Sequence, residues 1–279
     1  MNTPRISASS YSNTAPLVWS FLYGQNHGKV EIILDNAPAR SAELLAQDRV
    51  DAALVPVIAC QMIDDVRLIQ DVCVGARECV RSVCLVTNGA DLKDVRSVAL
   101  DISSKTSVVL TKIIFREFLG FEPSWIDSEP DLNAMLAEAD AALLIGDPAL
   151  SIAERGVRSA DLSEPGAGAT GFLNLKSFDL AELWHKHTGL GFVFAMWMTR
   201  HESCDIDFAT VRDEGLVHID EITANYAAAI GFSRDEMKTY LTENISYSID
   251  DSMQLGMALY FELARKNGLL NENKPLLYV

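Results

Sequence analysis

Short apolar runs alternate with amphipathic stretches over the first two-thirds of the chain. Arg5-Ile-Ser-Ala-Ser9 reads as a strand, Leu17 to Tyr23 as a helix, and Val30-Glu-Ile-Ile-Leu34 as a second strand. Pro38 suits the first turn of a helix with Leu44 and Leu45 on its apolar face. That helix ends near Asp48, before the run Val50-Asp-Ala-Ala-Leu-Val-Pro56. The β-α-β-α-β opening predicts a mostly parallel sheet with helices on its faces.

A further strand is expected at Arg81-Ser-Val-Cys-Leu-Val-Thr87, after which a second alternating series begins. It comprises strand 97–100, helix 106–118, a short strand at Ser124-Trp-Ile126, helix 129–138, strand Ala141–Ile145 and a helix from Asp147 to Arg155. Ser163-Glu-Pro-Gly-Ala-Gly-Ala-Thr170 reads as a loop, and helix 177–187 precedes the apolar run Phe192–Met198. Beyond Thr199 helices dominate: 206–230, then 233–243 opened by Ser233 with Glu236 three residues on, then 250–267. This pattern predicts an α/β protein of two lobes with a helical C-terminal tail. The expected limits are 1–87 plus 199–279 for the first lobe and 88–198 for the second, with the strands at 81–87 and 192–198 crossing between them. A ligand would sit in the cleft, beyond the carboxyl ends of the strands.

Composition narrows the function. With 279 residues, 49% hydrophobic and 22% charged, the chain is that of a folded globular protein. A formal net charge of −16 with no basic patch argues against nucleic acid as a partner. No apolar run approaches the roughly 20 residues of a membrane span, and Met1-Asn-Thr-Pro-Arg-Ile-Ser7 does not read as a secretory signal. A cytoplasmic protein without a membrane partner is therefore expected. The five cysteines (60, 73, 79, 84 and 204) are odd in number and lack metal-binding spacing, which favours free thiols. His185 and His187 read as cations at a helix C-terminus, and Trp184 and Trp197 as core residues. Neither a metal nor a cofactor is expected.

The chemistry gathers at Asp101-Ile-Ser-Ser-Lys-Thr-Ser107. Hydroxyl side chains and unpaired N–H groups where a strand gives way to a helix make a site for a carboxylate or phosphate. Residues 10–14 after the first strand and Ser82 are the other positions expected at the cleft. Taken alone, each has a plainer role. Asn13 can shape a turn, Ser82 can pack in its strand, and Asp147 before Pro148 can cap a helix. The 103–107 hydroxyls can cap their own helix.

Six segments together resemble one family. They are Ser10-Tyr-Ser-Asn-Thr-Ala-Pro-Leu17, Asp51–Pro56, Arg81–Val86, Ser103-Ser-Lys-Thr-Ser-Val108, Leu144-Ile-Gly-Asp-Pro-Ala-Leu150, and Asp179-Leu-x-x-x-Trp184 with Thr188-Gly-Leu-Gly-Phe-Val-Phe-Ala195. In order and spacing they resemble chorismate dehydratase, the first enzyme of the futalosine route to menaquinone, over residues 5–200. Two positions depart from it: Lys105 where the family usually has arginine, and Gly191 where it usually has proline. A lysine lacks the forked grip of arginine on a carboxylate.

The resemblance implies the fold of type II periplasmic binding proteins, with two crossovers, and a hydro-lyase that converts the dianion chorismate to 3-(1-carboxyvinyloxy)benzoate. The chemistry of that reaction makes Asn13, Ser82 and Asp147 the catalytic candidates and Ser104, Thr106 and Ser107 the substrate-binding ones. The proton acceptor is either Asp147 or the substrate's own enolpyruvyl carboxylate. Two other functions fit this scaffold: a solute-binding protein, and the dihydroxynaphthoate-forming enzyme of the same pathway.

Overall fold

The computed structural model describes residues 3–152 and 175–279. Two five-stranded sheets organise it. The first takes β1 (Arg5–Ser9), β2 (Glu31–Asp35), β3 (Ala52–Pro56), β4 (Arg67–Ala76) and β10 (Phe192–Thr199) in the order β2-β1-β3-β10-β4. The second takes β5 (Val83–Asn88), β6 (Ser97–Asp101), β7 (Ser124–Ser128), β8 (Ala141–Ile145) and β9 (Leu175–Asp179) in the order β7-β6-β8-β5-β9. Each sheet is parallel on one side, through β2-β1-β3 and β7-β6-β8, and antiparallel where β10 or β5 enters.

Strands buried on both faces are apolar throughout, as in β3 (Ala-Ala-Leu-Val-Pro) and β8 (Ala-Ala-Leu-Leu-Ile). Helices α1 (Ala15–Tyr23), α2 (Pro38–Ala46) and α3 (Ala59–Met62) follow strands of the first sheet. Helix α4 (Thr106–Ile113), continued by a π-helical stretch Ile114–Leu119, and α5 (Leu132–Glu138) follow strands of the second. Helix α6, described over 146–152, comes next, and α7 (Leu180–Thr188) leads back to the first sheet. The tail is α8 (Phe208–Val217), α9 (Ile219–Ile230), α10 (Arg234–Thr239) with a π-helical stretch Tyr240–Asn244, and α11 (Asp251–Lys266). The capping box expected at Ser233 and Glu236 opens α10.

Several elements differ from expectation. β4, a ten-residue strand, is not among the strands expected from the sequence. Asp71 interrupts its apolar run in the left-handed region, at φ 60°, and the ladder to β10 slips between Met196 and Met198. The helix expected from 177 begins only after Asp179, because Leu175–Asp179 pairs with β5. The long helix expected over 206–230 breaks at His218, whose ring stacks on Trp19 at 3.7 Å. The loop expected at 163–170 lies outside the described residues.

Sheet pairing also moves the crossings. β5 hydrogen-bonds into the second sheet and β10 into the first. The chain therefore passes between sheets in the short segments 77–82 and 189–191, not along the strands 81–87 and 192–198. The tail reaches both sheets. α11 packs on β10, while the Tyr260 hydroxyl donates to the Thr106 carbonyl at 3.0 Å and Lys266 pairs with Glu117 at 2.6 Å.

Candidate active site

The carboxyl ends of β1, β3, β6 and β8 converge, so the segments that follow them share one cleft. From β1 comes a 3-10 turn, Ser12–Thr14, braced by a 2.6 Å hydrogen bond between the Ser9 and Thr14 hydroxyls. From β6 comes the start of α4. No side chain caps that helix, and Lys105 at its N-cap has helical dihedrals. Its first N–H groups thus lack a side-chain acceptor, at the end where the helix dipole favours negative charge.

Asn13, Ser104, Thr106 and Ser107 line one cavity of about 70 Å³. Its walls are apolar: Pro38, Leu54, Pro56, Val74, Val83, Ile145 and Phe194. A planar ring fits such walls, and polar groups at the ends fix its orientation. The Thr106 hydroxyl also accepts from the Ile58 N–H at 3.3 Å, and the Ala39 N–H donates to the Ser103 carbonyl at 3.2 Å. Both bonds join elements of different sheets. A larger open groove runs along Arg5, Glu31, Asp51 and His201 at the amino ends of β1 and β2, away from these residues.

Ser82 lies fully buried just outside the cavity lining, next to Val83. Its N–H donates to the Val80 carbonyl at 2.7 Å, across Arg81 at φ 60°, and its own carbonyl accepts from the Gly146 N–H at 2.7 Å. Gly146 needs to be glycine twice over. It sits at φ 65°, and a Cβ there would lie 2.6 Å from the Tyr11 ring.

Asp147 follows Gly146 but is absent from the cavity lining. Its carboxylate accepts the Ser12 N–H, at 3.1 Å to each oxygen, and the Ser12 hydroxyl at 2.5 Å. Burial raises its pKa, and these Ser12 donors offset part of the rise. Nearby Asp101 uses one oxygen to accept the Ser103 N–H and hydroxyl, at 2.8 and 2.6 Å, while the other is buried without a partner. Burial raises its pKa as well. The Tyr11 phenol is pushed up to about 12, first by burial and then by the charge of Asp101.

The structure thus brings together Asn13, Ser104, Thr106 and Ser107, sets Ser82 behind them, and joins Asp147 to Ser12. Sequence reasoning missed Tyr240. This residue of the tail is wholly buried, and its hydroxyl has no hydrogen-bond partner. Burial drives its pKa far up, and Ser82, Asn13 and the charge of Arg81 oppose the shift, so the phenol lies close to Ser82 and Asn13. Neither meets hydrogen-bond geometry with it. No local pattern marks such a tyrosine; it becomes visible only when the tail is folded against residues 75–82. The Ser246–Gly75 backbone pair and the 3.1 Å bond from Asn244 to the Cys79 sulfur fix that docking.

The geometry has counterparts in known proteins. A solved structure from Archaeoglobus fulgidus matches at a TM-score of 0.67, with 17% identity, over 96% of this chain and 98% of that one. A Candida albicans protein described as having the generic periplasmic binding protein fold matches at 0.66, with 13% identity, over 98% of this chain and 92% of that one. The fold is that of the periplasmic binding proteins, in the type II arrangement of two α/β lobes with two crossings and a helical tail. A Thermus thermophilus protein named chorismate dehydratase is 31% identical over 258 residues, which span 90% of this chain and 92% of that protein. The family model described as menaquinone biosynthesis matches residues 4–266, and the chain belongs to that family.

Proposed function

We propose that this protein is a chorismate dehydratase, a hydro-lyase of menaquinone biosynthesis that forms 3-(1-carboxyvinyloxy)benzoate. The observation that carries the reading is one small, apolar-walled cavity with Asn13 on one side and the uncapped start of α4, with Ser104, Thr106 and Ser107, on the other.

The ring carboxylate of chorismate is conjugated, through a C=C bond, with the carbon that bears the enolpyruvyl ether. Removing the proton from that carbon delivers its electron pair toward the ring carboxylate. The pair then returns to form the last ring C=C bond as the neighbouring C–O bond breaks and hydroxide leaves, taking up a proton to become water. Aromatisation drives the step, so the protein's task is to hold the dianion and steady the developing charge. Preorganised donors at the start of α4 suit one carboxylate. Asn13 and Ser82 are assigned to the other carboxylate or the departing hydroxyl. Ser12 already occupies both oxygens of Asp147. The proton acceptor is accordingly assigned to the enolpyruvyl carboxylate of the substrate, and Asp147 acts through the Ser12–Thr14 turn that carries Asn13.

The test is incubation of the purified protein with chorismate, with the products followed by chromatography and mass. Appearance of 3-(1-carboxyvinyloxy)benzoate at a rate that falls by about 100-fold or more in Asn13→Ala supports the assignment. Tight binding of unchanged chorismate would instead identify a solute-binding protein.

A further inference from the structure

Asp179 does more than start a helix. One oxygen, Oδ1, accepts the N–H groups of Ala181 and Glu182 at 2.8 and 3.1 Å, which is the ordinary N-cap of α7. The other, Oδ2, accepts the N–H groups of Val80 and Arg81 at 2.9 and 2.5 Å, from residues almost a hundred positions earlier. These two amides belong to the segment that crosses between the sheets just before Ser82.

That segment is strained. Arg81 is at φ 60°, and the Ser82 N–H closes a three-residue turn onto the Val80 carbonyl at 2.7 Å. A γ-turn with a positive central φ is rare and unfavourable for a residue with a side chain. It also leaves two adjacent N–H groups facing the same way. Their partner must accept twice, and an ionised carboxylate is the side chain that accepts at both oxygens and donates at neither. A serine or threonine caps a helix about as well as aspartate but has no second oxygen to give. An asparagine turns an NH₂ donor toward one of the two pairs of N–H groups. The choice of aspartate is thus explained by the turn, not by the helix.

We propose that Asp179 is a positioning residue for Ser82: its carboxylate clamps the strained Val80–Ser82 turn against the start of α7 and so holds in place the Val80 carbonyl to which the Ser82 hydroxyl donates, at 3.4 Å. The kinetic consequence rests on the chorismate reading above; the clamp itself does not.

The variant that separates the two roles is Asp179→Ser, which keeps the cap and removes the second acceptor. With chorismate as substrate, kcat should fall by about 10- to 100-fold while KM stays within about threefold. In a Ser82→Ala background the same change should cost nothing further in kcat, because there is no hydroxyl left to aim. Retention of kcat within about threefold, or a loss that multiplies with that of Ser82→Ala, overturns the proposal. Hydrogen exchange supplies the readout that needs neither a variant nor turnover. In the wild-type protein the Val80 and Arg81 amides should exchange at least about tenfold more slowly than free peptide, and free-peptide rates there refute the clamp. If wild-type protein leaves chorismate untouched while these amides are protected, the functional reading fails and the clamp stands.

Discussion

At the scale of single residues, the site is built from groups that are buried before any ligand arrives. Tyr240 is the plainest case, with a wholly buried phenol and an unpartnered hydroxyl beside Ser82 and Asn13. An unsatisfied buried hydroxyl costs stability, so a fold that needed only bulk there would do as well with phenylalanine. Tyr240→Phe should leave the protein equally stable or more stable by about 1 kcal/mol in denaturant unfolding. If the hydroxyl completes the polar group formed with Ser82 and Asn13, the same variant should lose about tenfold in kcat. A stability gain with full turnover would reduce Tyr240 to packing.

At the scale of elements, the crossings decide how well the site is held. Gly191 lies in the second crossing, at a position where the resemblance leads to the expectation of a proline. Here its N–H donates to the Ser252 hydroxyl at 3.0 Å, and its carbonyl accepts from the Trp184 indole at 3.2 Å. A Cβ at Gly191 would lie 2.7 Å from Met253 Cγ and 3.1 Å from the Ala76 carbonyl oxygen. Helix α11 has therefore closed over this glycine, and Gly191→Pro should destabilise the protein by about 2–4 kcal/mol in denaturant unfolding. Elements of this kind also mark how far the sequence could be read. β1, β3, β6 and the start of α4 were legible because their apolar runs and hydroxyl cluster are local, and so was the meeting of Asn13 with residues 104–107. β4 was hidden by the bulge at Asp71, and β9 by the helical pattern that follows it. The Ser12–Asp147 bond spans 135 positions and the Asp179–Val80 bond 99, so neither leaves a periodic trace.

At the scale of the whole molecule, the cavity of about 70 Å³ is far smaller than the roughly 300–1,000 Å³ of ordinary ligand pockets. On the chorismate reading, the substrate can enter only if the two sheets move apart. The crossings and the packed face of α11 are continuous structure. The bonds from Ser12 to Asp147, Ala39 to Ser103, Ile58 to Thr106 and Ser151 to Ile230 are isolated polar contacts, and opening is expected to break bonds of this kind first. On this reading Asp147 should make closure sensitive to pH. Its pKa is raised by burial in the closed form, whereas in an open, hydrated cleft it returns toward the ordinary carboxylate value near 3.8. A group whose closed-state pKa is raised favours closure fully below its open-state value, and that contribution is lost as pH rises through the closed-state value. The wild-type KM should therefore climb across that window and level off above it. Asp147→Asn has no carboxyl to titrate, and its amide NH₂ faces the Ser12 donors. Its KM should be flat across the same window and higher at neutral pH by about tenfold, with kcat changed less. Initial-rate measurements across that pH range decide the matter. A variant KM equal to wild type at every pH would mean that the Ser12–Asp147 contact does not help to close the cleft.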